Sequence, residues 1–199
     1  MKCGSTISAD FRILVYPCRS QDAREGSGNR HREKTSCAGS YQELGPVRLI
    51  AEDLGIITDD VCRLRSHFSL PGMRVLPFHL KERSDGRLSF DTEPCSIAYT
   101  GTHDNDTTRG WYESLPEEQQ QRLCLMMHLS NDATASEVTA ALIAYVYSRR
   151  AETAIVPFQD LLFLPSSGRM NTPGTVEGNW HWQLKGPARW PLDHAHCRL

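Results

Sequence analysis

An α/β fold built on a parallel sheet is what this sequence predicts, and three observations carry it. Four short apolar runs recur along the chain, with strands expected at Val47 to Ile50, Val75 to Phe78, Ala98 to Thr100 and Ile155 to Pro157. Helical patterns or long connections separate them, which suits βα units better than tight hairpins. Each run then stops in polar residues: Glu52-Asp53, His79, His103-Asp104 and Gln159-Asp160. Functional groups in parallel α/β folds gather at the carboxyl ends of the strands, so a site is expected where these runs end.

Taken in order, residues 1–42 differ from the rest. Ser20 to Ser40 is dense in charge and nearly free of aliphatic residues, so it is expected to be poorly ordered; only Phe11 to Tyr16, bounded by Pro17, reads as a strand. Thr58 can cap a helix that sets Val61, Leu64 and Phe68 on one face and ends by Pro71-Gly72. His79 to Pro94 is rich in Gly, Asp and Ser and reads as irregular. Ser114 and Glu117 form a capping-box pattern around Pro116, predicting a helix to about Leu129. From Ser136 a second helix carries the apolar stripe Val138, Ala141, Leu142, Tyr145 and Val146, read as core.

Composition narrows the partner. The 199 residues are 39% hydrophobic and 8% aromatic, ordinary for a soluble globular chain. A net charge of -2, from 22 basic against 24 acidic residues, gives no electrostatic reason for nucleic acid or an anionic membrane, so a neutral partner is expected. Seven cysteines lack CxxC spacing and cannot all pair, which fits reduced thiols and a cytoplasmic location. No apolar run approaches the roughly 20 residues that span a bilayer.

The chemistry concentrates in Tyr99 to Thr107, YTGTHDNDT, where an apolar approach runs into His103, Asp104, Asn105 and Asp106. An Asx-rich turn capping the next helix would explain these residues; so would a site on a strand end, with Glu52 and Asp104 facing it from neighbouring strands. A metal reading fits less well. Asp104 to Asp106 lacks the Gly and Glu of a calcium loop, and His103-Asp104 has no helical partners of the kind metal-binding His-Asp pairs use.

LIAEDLG (49–55), PGMRVLPF (71–78), YTGTHDNDTTRGWY (99–112) and GRMNTPGTVEGNWHWQL (168–184) together resemble the 4-α-glucanotransferases, the amylomaltases or disproportionating enzymes. The likeness runs from about Glu43 to Lys185 and implies a partial (β/α)8 TIM barrel of the α-amylase clan, its second half only. Residues 43–186 would be that C-terminal half, preceded by a divergent segment, 1–42, and followed by a divergent tail, 187–199. The resemblance implies transfer of a 4-α-glucan segment to a glucose or glucan acceptor with retention, through two substitutions. It assigns Glu52 as acid/base, Asp104 as a transition-state-stabilising acid, and His103 and Asn171 as sugar contacts. Trp180 and Trp182 could stack on sugar or could pack. A maltooligosaccharide or starch- or glycogen-type α-glucan is the implied partner, with no cofactor and no metal.

One part of the family pattern is missing. The nucleophilic aspartate belongs to an Asp-His-Phe-Arg motif that this sequence lacks, and Asp10-Phe11-Arg12 is either a degenerate copy of it or a coincidence. The divergence at both ends is the kind that a frame change leaves. The chain alone is therefore expected to be inactive, with a glucan-binding remnant, or the partner of a complementary fragment, as the alternative. Open sheet edges of a half barrel would favour self-association.

Overall fold

Residues 13–15, 27–29, 49–54 and 57–184 are described by the computed structural model of this chain. Strands β1 (Ile13–Val15) and β2 (Ser27–Asn29) pair antiparallel, Leu14 opposite Gly28. β1 falls inside the expected Phe11 to Tyr16 strand, and β2 lies within the polar stretch that follows. The rest of residues 1–42, Asp10 included, and the tail 187–199 lie outside the described residues. The chain divides into two compact units: Met1–Met73 with Cys95–Ile97, and Arg74–Pro94 with Ala98–Leu199.

In the first unit, of the strand expected over Val47 to Ile50, Val47 and Arg48 lie outside the described residues. Leu49 and Ile50 lie outside any strand, and a single parallel bridge joins Ala51 to Gly72, beside a 2.9 Å bond from Ala51 N–H to the carbonyl of Pro71. Ile50 is 48% exposed, so this run is not wrapped on both sides. Helix α1 (Asp59–His67) follows, with Asp59 and Asp60 in its first turn and Arg65 and His67 in its last, each sign at the favourable end of the helix dipole. Thr58 stands at the N-cap without a side-chain capping bond. Val61 and Leu64 are buried as their spacing predicts, and the helix closes at Phe68.

Strand β3 (Gly72–Val75) precedes a single helical turn, α2 (Leu76–His79), where the sequence reading expected the strand itself. Pro77 explains the shift. It has no N–H to give a sheet ladder, but in the first turn of a helix that N–H would go unused anyway. The polar connection read as irregular contains a hairpin, β4 (Leu80–Glu82) against β5 (Leu88–Phe90). Gly86 takes the left-handed conformation in its turn (φ 79), and Phe90 is fully buried, anchoring the hairpin in the core.

Strand β6 (Ser96–Tyr99), buried along its whole length, is the middle strand of the sheet β3-β6-β7, where β7 is Thr153–Ile155. Three helices lie on the crossover from β6 to β7: α3 (Thr108–Ser114), α4 (Glu117–Met126) and α5 (Ala135–Tyr147). β7 stops short of the expected Ile155 to Pro157 for the same reason as β3. Pro157 caps α6 (Phe158–Leu161) instead of extending a ladder.

Val138, Leu142 and Val146 of α5 pack with Leu76, Phe90, Ala98 and Leu123 in the core of the second unit. Fully burying each such side chain stabilises by about 1.5–3 kcal/mol. Tyr112 closes the cluster with its hydroxyl 3.5 Å from the Cys124 Sγ, and burial, followed by that contact, pushes its phenol up to about 12.

The capping box expected at Ser114 and Glu117 does not form. Ser114 is the last residue of α3 and its hydroxyl donates back to the Trp111 carbonyl (2.7 Å), leaving Pro116 to cap α4. A capping box does start α5, two residues before Ser136: Thr134 accepts from Glu137 N–H while Glu137 accepts from Thr134 N–H at 2.8 Å. Cys62, Cys95 and Cys124 are free thiols. No helix among the described residues is long and apolar enough to cross a membrane.

Candidate functional site

The polar loop 101–107 joins β6 to α3, as the apolar-to-polar change in YTGTHDNDT predicts, and its polar residues divide into two pairs. Asn105 and Asp106 build the loop. The Asn105 Oδ1 accepts from the backbone N–H and the hydroxyl of Thr102, both at 2.8 Å, and the Asp106 carboxylate accepts from Thr107 N–H (2.8 Å) and from the Ser166 hydroxyl (2.7 Å). Thr107 then caps α3 by accepting from Gly110 N–H at 3.0 Å. The turn reading therefore holds for this pair.

His103 and Asp104 are left facing outward, with side chains 56% and 49% exposed. Their Nε2 and Oδ1 are 3.4 Å apart. The segment after the 3₁₀ turn Ser166–Gly168 locks onto them. Asn171 donates from its side chain to Asp104 Oδ1 (2.5 Å) and from its backbone N–H to the carbonyl of His103 (3.1 Å). Arg169 spans the same two strands of chain, its Nη2 on the carbonyl of Asp104 and its Nε on the carbonyl of Asn171, each at 2.8 Å. Trp180, 61% exposed, lies beside His103 with ring centroids 5.1 Å apart, so of the two tryptophans this one borders the loop.

His103, Asp104 and Asn171 thus come together although 67 residues separate Asp104 from Asn171. Asp104 Oδ1 is occupied by Asn171, and Oδ2 makes no hydrogen bond among the described residues, so one oxygen is held and the other can meet a ligand hydroxyl. The donors and acceptors set around an exposed aromatic ring are of the kind that bind polyhydroxylated neutral molecules.

Glu52 belongs to the other unit and is exposed, while its neighbour Asp53 is buried and structural. The Asp53 carboxylate is ion-paired with Arg65 and accepts from Met73 N–H at 2.6 Å. Of the remaining run ends, His79 Nδ1 lies 3.0 Å from the carbonyl of Val75, and Gln159 and Asp160 are buried, turned away from solvent. Sequence reasoning did not single out Arg169. Its signal was only its place two residues before Asn171. Among the described residues no group of three or more His, Cys, Asp or Glu could hold a metal ion.

A mixed sheet-and-helix unit with a polar loop after its middle strand is the α/β class of the solved amylomaltases. The chain superimposes with a TM-score of 0.68 and 34% identity on the amylomaltase from Streptococcus agalactiae in complex with acarbose, over 84% of this chain and 34% of that one. The amylomaltase of Corynebacterium glutamicum, at 19% identity and a TM-score of 0.56, shares the fold. The sequence profile described as 4-alpha-glucanotransferase matches residues 9–189, and this chain belongs to that family.

Among curated relatives it is 41% identical over 171 residues to the chloroplastic/amyloplastic 4-alpha-glucanotransferase of Oryza sativa subsp. japonica, covering 85% of this chain and 28% of that protein. It is 43% identical over 146 residues to the 4-alpha-glucanotransferase of Aquifex aeolicus, covering 73% and 29%. The chain therefore spans under a third of the length of these relatives. The match to the family reaches residue 9, well before the Glu43 from which the likeness was read, and so takes in Asp10.

Proposed function

We propose that this chain is the C-terminal half of a 4-α-glucanotransferase barrel, second half of a (β/α)8 fold, acting on maltooligosaccharide or starch- or glycogen-type α-glucan. The observation that supports this reading best is the pairing of exposed His103 and Asp104 with Asn171, the three residues that the family likeness assigns to sugar contact. In the reaction, a carboxylate nucleophile attacks the anomeric carbon while an acid protonates the departing glycosidic oxygen; an acceptor hydroxyl then displaces the carboxylate and returns its proton. Glu52 takes the proton-transfer role. Asp104 holds sugar hydroxyls through Oδ2 as positive charge develops at the ring, and His103 and Asn171 fix the sugar beside it.

The sequence has no Asp-His-Phe-Arg motif to supply the nucleophile. General acid–base catalysis contributes about 10²–10⁴-fold, a small part of what glycosyl transfer requires. The chain on its own is therefore a poor catalyst, and binding of α-glucan, or completion by a second fragment, is the alternative use of the same residues. Its reduced thiols fit a cytoplasmic setting.

Incubation of the chain with maltotriose, followed by chromatography of the products, tests this. Neither glucose nor longer oligosaccharides should appear above background. Turnover that Glu52→Gln abolishes and Asp10→Asn also abolishes would make Asp10 the nucleophile. Turnover untouched by Asp10→Asn would refute the account of what the site lacks, and failure of maltotriose or acarbose to bind even at millimolar concentration would remove the sugar-binding reading.

A further inference from the structure

We propose that Asp160 is a positioning residue for the His103–Asp104 loop, acting as a buried clamp on both of the loop's ends. This rests on the reading of that loop as the sugar-binding element. Asp160 sits on α6, just after β7, and is 1% exposed. Its Oδ2 accepts from the hydroxyls of Thr100 (2.6 Å) and Thr108 (2.7 Å), and its Oδ1 accepts from the backbone N–H of Thr108 (2.7 Å). Thr100 is the first residue after β6 and Thr108 is the first of α3, so one carboxylate ties together the two points between which His103 and Asp104 hang.

Everything at this junction is inaccessible to water: Thr100 is 0% and Thr108 1% exposed. A buried carboxylate that loses its donors, or a buried N–H that loses its acceptor, has no solvent to turn to, so the three bonds stand or fall together. Burying a carboxylate is a costly way to join a strand to a helix, even with its donors in place. The cost is accounted for if the distance between the loop's ends must be held to a fraction of an ångström. The exposed side of the same loop is latched separately by Arg169 and Asn171. Clamp below and latch above leave His103 and Asp104 little freedom, as a preformed sugar site needs.

Hydrogen exchange of the full chain, read by mass spectrometry, with Asp160→Ala and Asp160→Asn, tests the clamp. Asparagine keeps an acceptor for Thr108 N–H and offers an amide to hydroxyls that can rotate to accept, so it should rescue. Residues 101–108 should exchange about tenfold faster or more in Asp160→Ala while α5 is unchanged, and Asp160→Asn should return to within about threefold of the parent. Acarbose at millimolar concentration should slow exchange of 101–108 in the parent and in Asp160→Asn but not in Asp160→Ala.

Unchanged loop exchange in Asp160→Ala, or equal acceleration of the loop and α5, overturns the proposal. If Asp160→Ala does not fold, Thr108→Val removes one donor and should accelerate the loop alone; no loop-selective change there overturns it too. If acarbose protects nothing in the parent, the sugar-binding reading fails, and the exchange rates without ligand still decide the clamp.

Discussion

At the scale of single residues, the placing of His103 and Asp104 depends on the bonds of their neighbours. Arg169 reaches the carbonyls of Asp104 and Asn171 from two different nitrogens, a fork that lysine does not have. Arg169→Lys should therefore lower stability by about 1 kcal/mol, measured by urea denaturation, although charge is conserved. Asp160 gives a pH signature. Burial raises its carboxyl above the ordinary aspartate range, against the lowering effect of its bonds to Thr100 and Thr108. The native state then holds this proton more tightly than the unfolded chain does. Its favourable contribution is present below the unfolded pKa and fades as pH rises through the folded one. Asp160→Asn removes that dependence, so the parent should lose stability relative to this variant as pH climbs from below the ordinary aspartate range to above it. A difference that grows in the opposite sense would contradict the burial argument.

At the scale of elements, helix starts decide more than helix propensity does. Thr134 and Glu137 satisfy each other's backbone N–H groups at the head of α5, and Thr134→Ala should cost about 0.5–2 kcal/mol in thermal or urea unfolding. Ser114→Ala should leave α4 almost unaffected, because that hydroxyl already belongs to α3. The sequence reading placed a capping box at Ser114 and began the next helix at Ser136 without naming Thr134. Ser-x-x-Glu and Thr-x-x-Glu look alike as strings, and only the end of α3 at Ser114 tells which is used. Strand placement failed in an instructive way too. The apolar runs were found, but Pro77 and Pro157 move the paired part upstream, since a proline inside an apolar run ends the ladder instead of joining it. His103, Asp104 and Asn171 were legible because polar groups at strand ends and long motifs announce them. Arg169 and Asp160 were not, since their meaning lies in partners about 50 to 65 residues away that no local pattern records.

At the scale of the whole molecule, the chain carries exposed apolar side chains that a soluble monomer usually covers. Phe78, Leu125, Tyr147, Val176 and Trp180 are all more than 40% exposed. Among the described residues β7 ends its sheet, and association of copies is the expected outcome. Sedimentation velocity should show species larger than one chain, and a single monomeric boundary across concentrations would contradict that. Gly110 shows how far from the reacting groups damage can begin. A Cβ at this position in α3 would run into the Ser166 hydroxyl and come within 2.8 Å of Asp106 Oδ1. Ser166 opens the turn that leads directly into Arg169 and Asn171. An alanine there would make the Ser166 hydroxyl and the Asp106 carboxylate shift, disturbing the 2.7 Å bond between them while every side chain assigned to sugar contact stayed as encoded. A change of one hydrogen to one methyl at 110 would thus loosen the loop from a position that makes no contact with His103, Asp104 or Asn171 in the bonds described above.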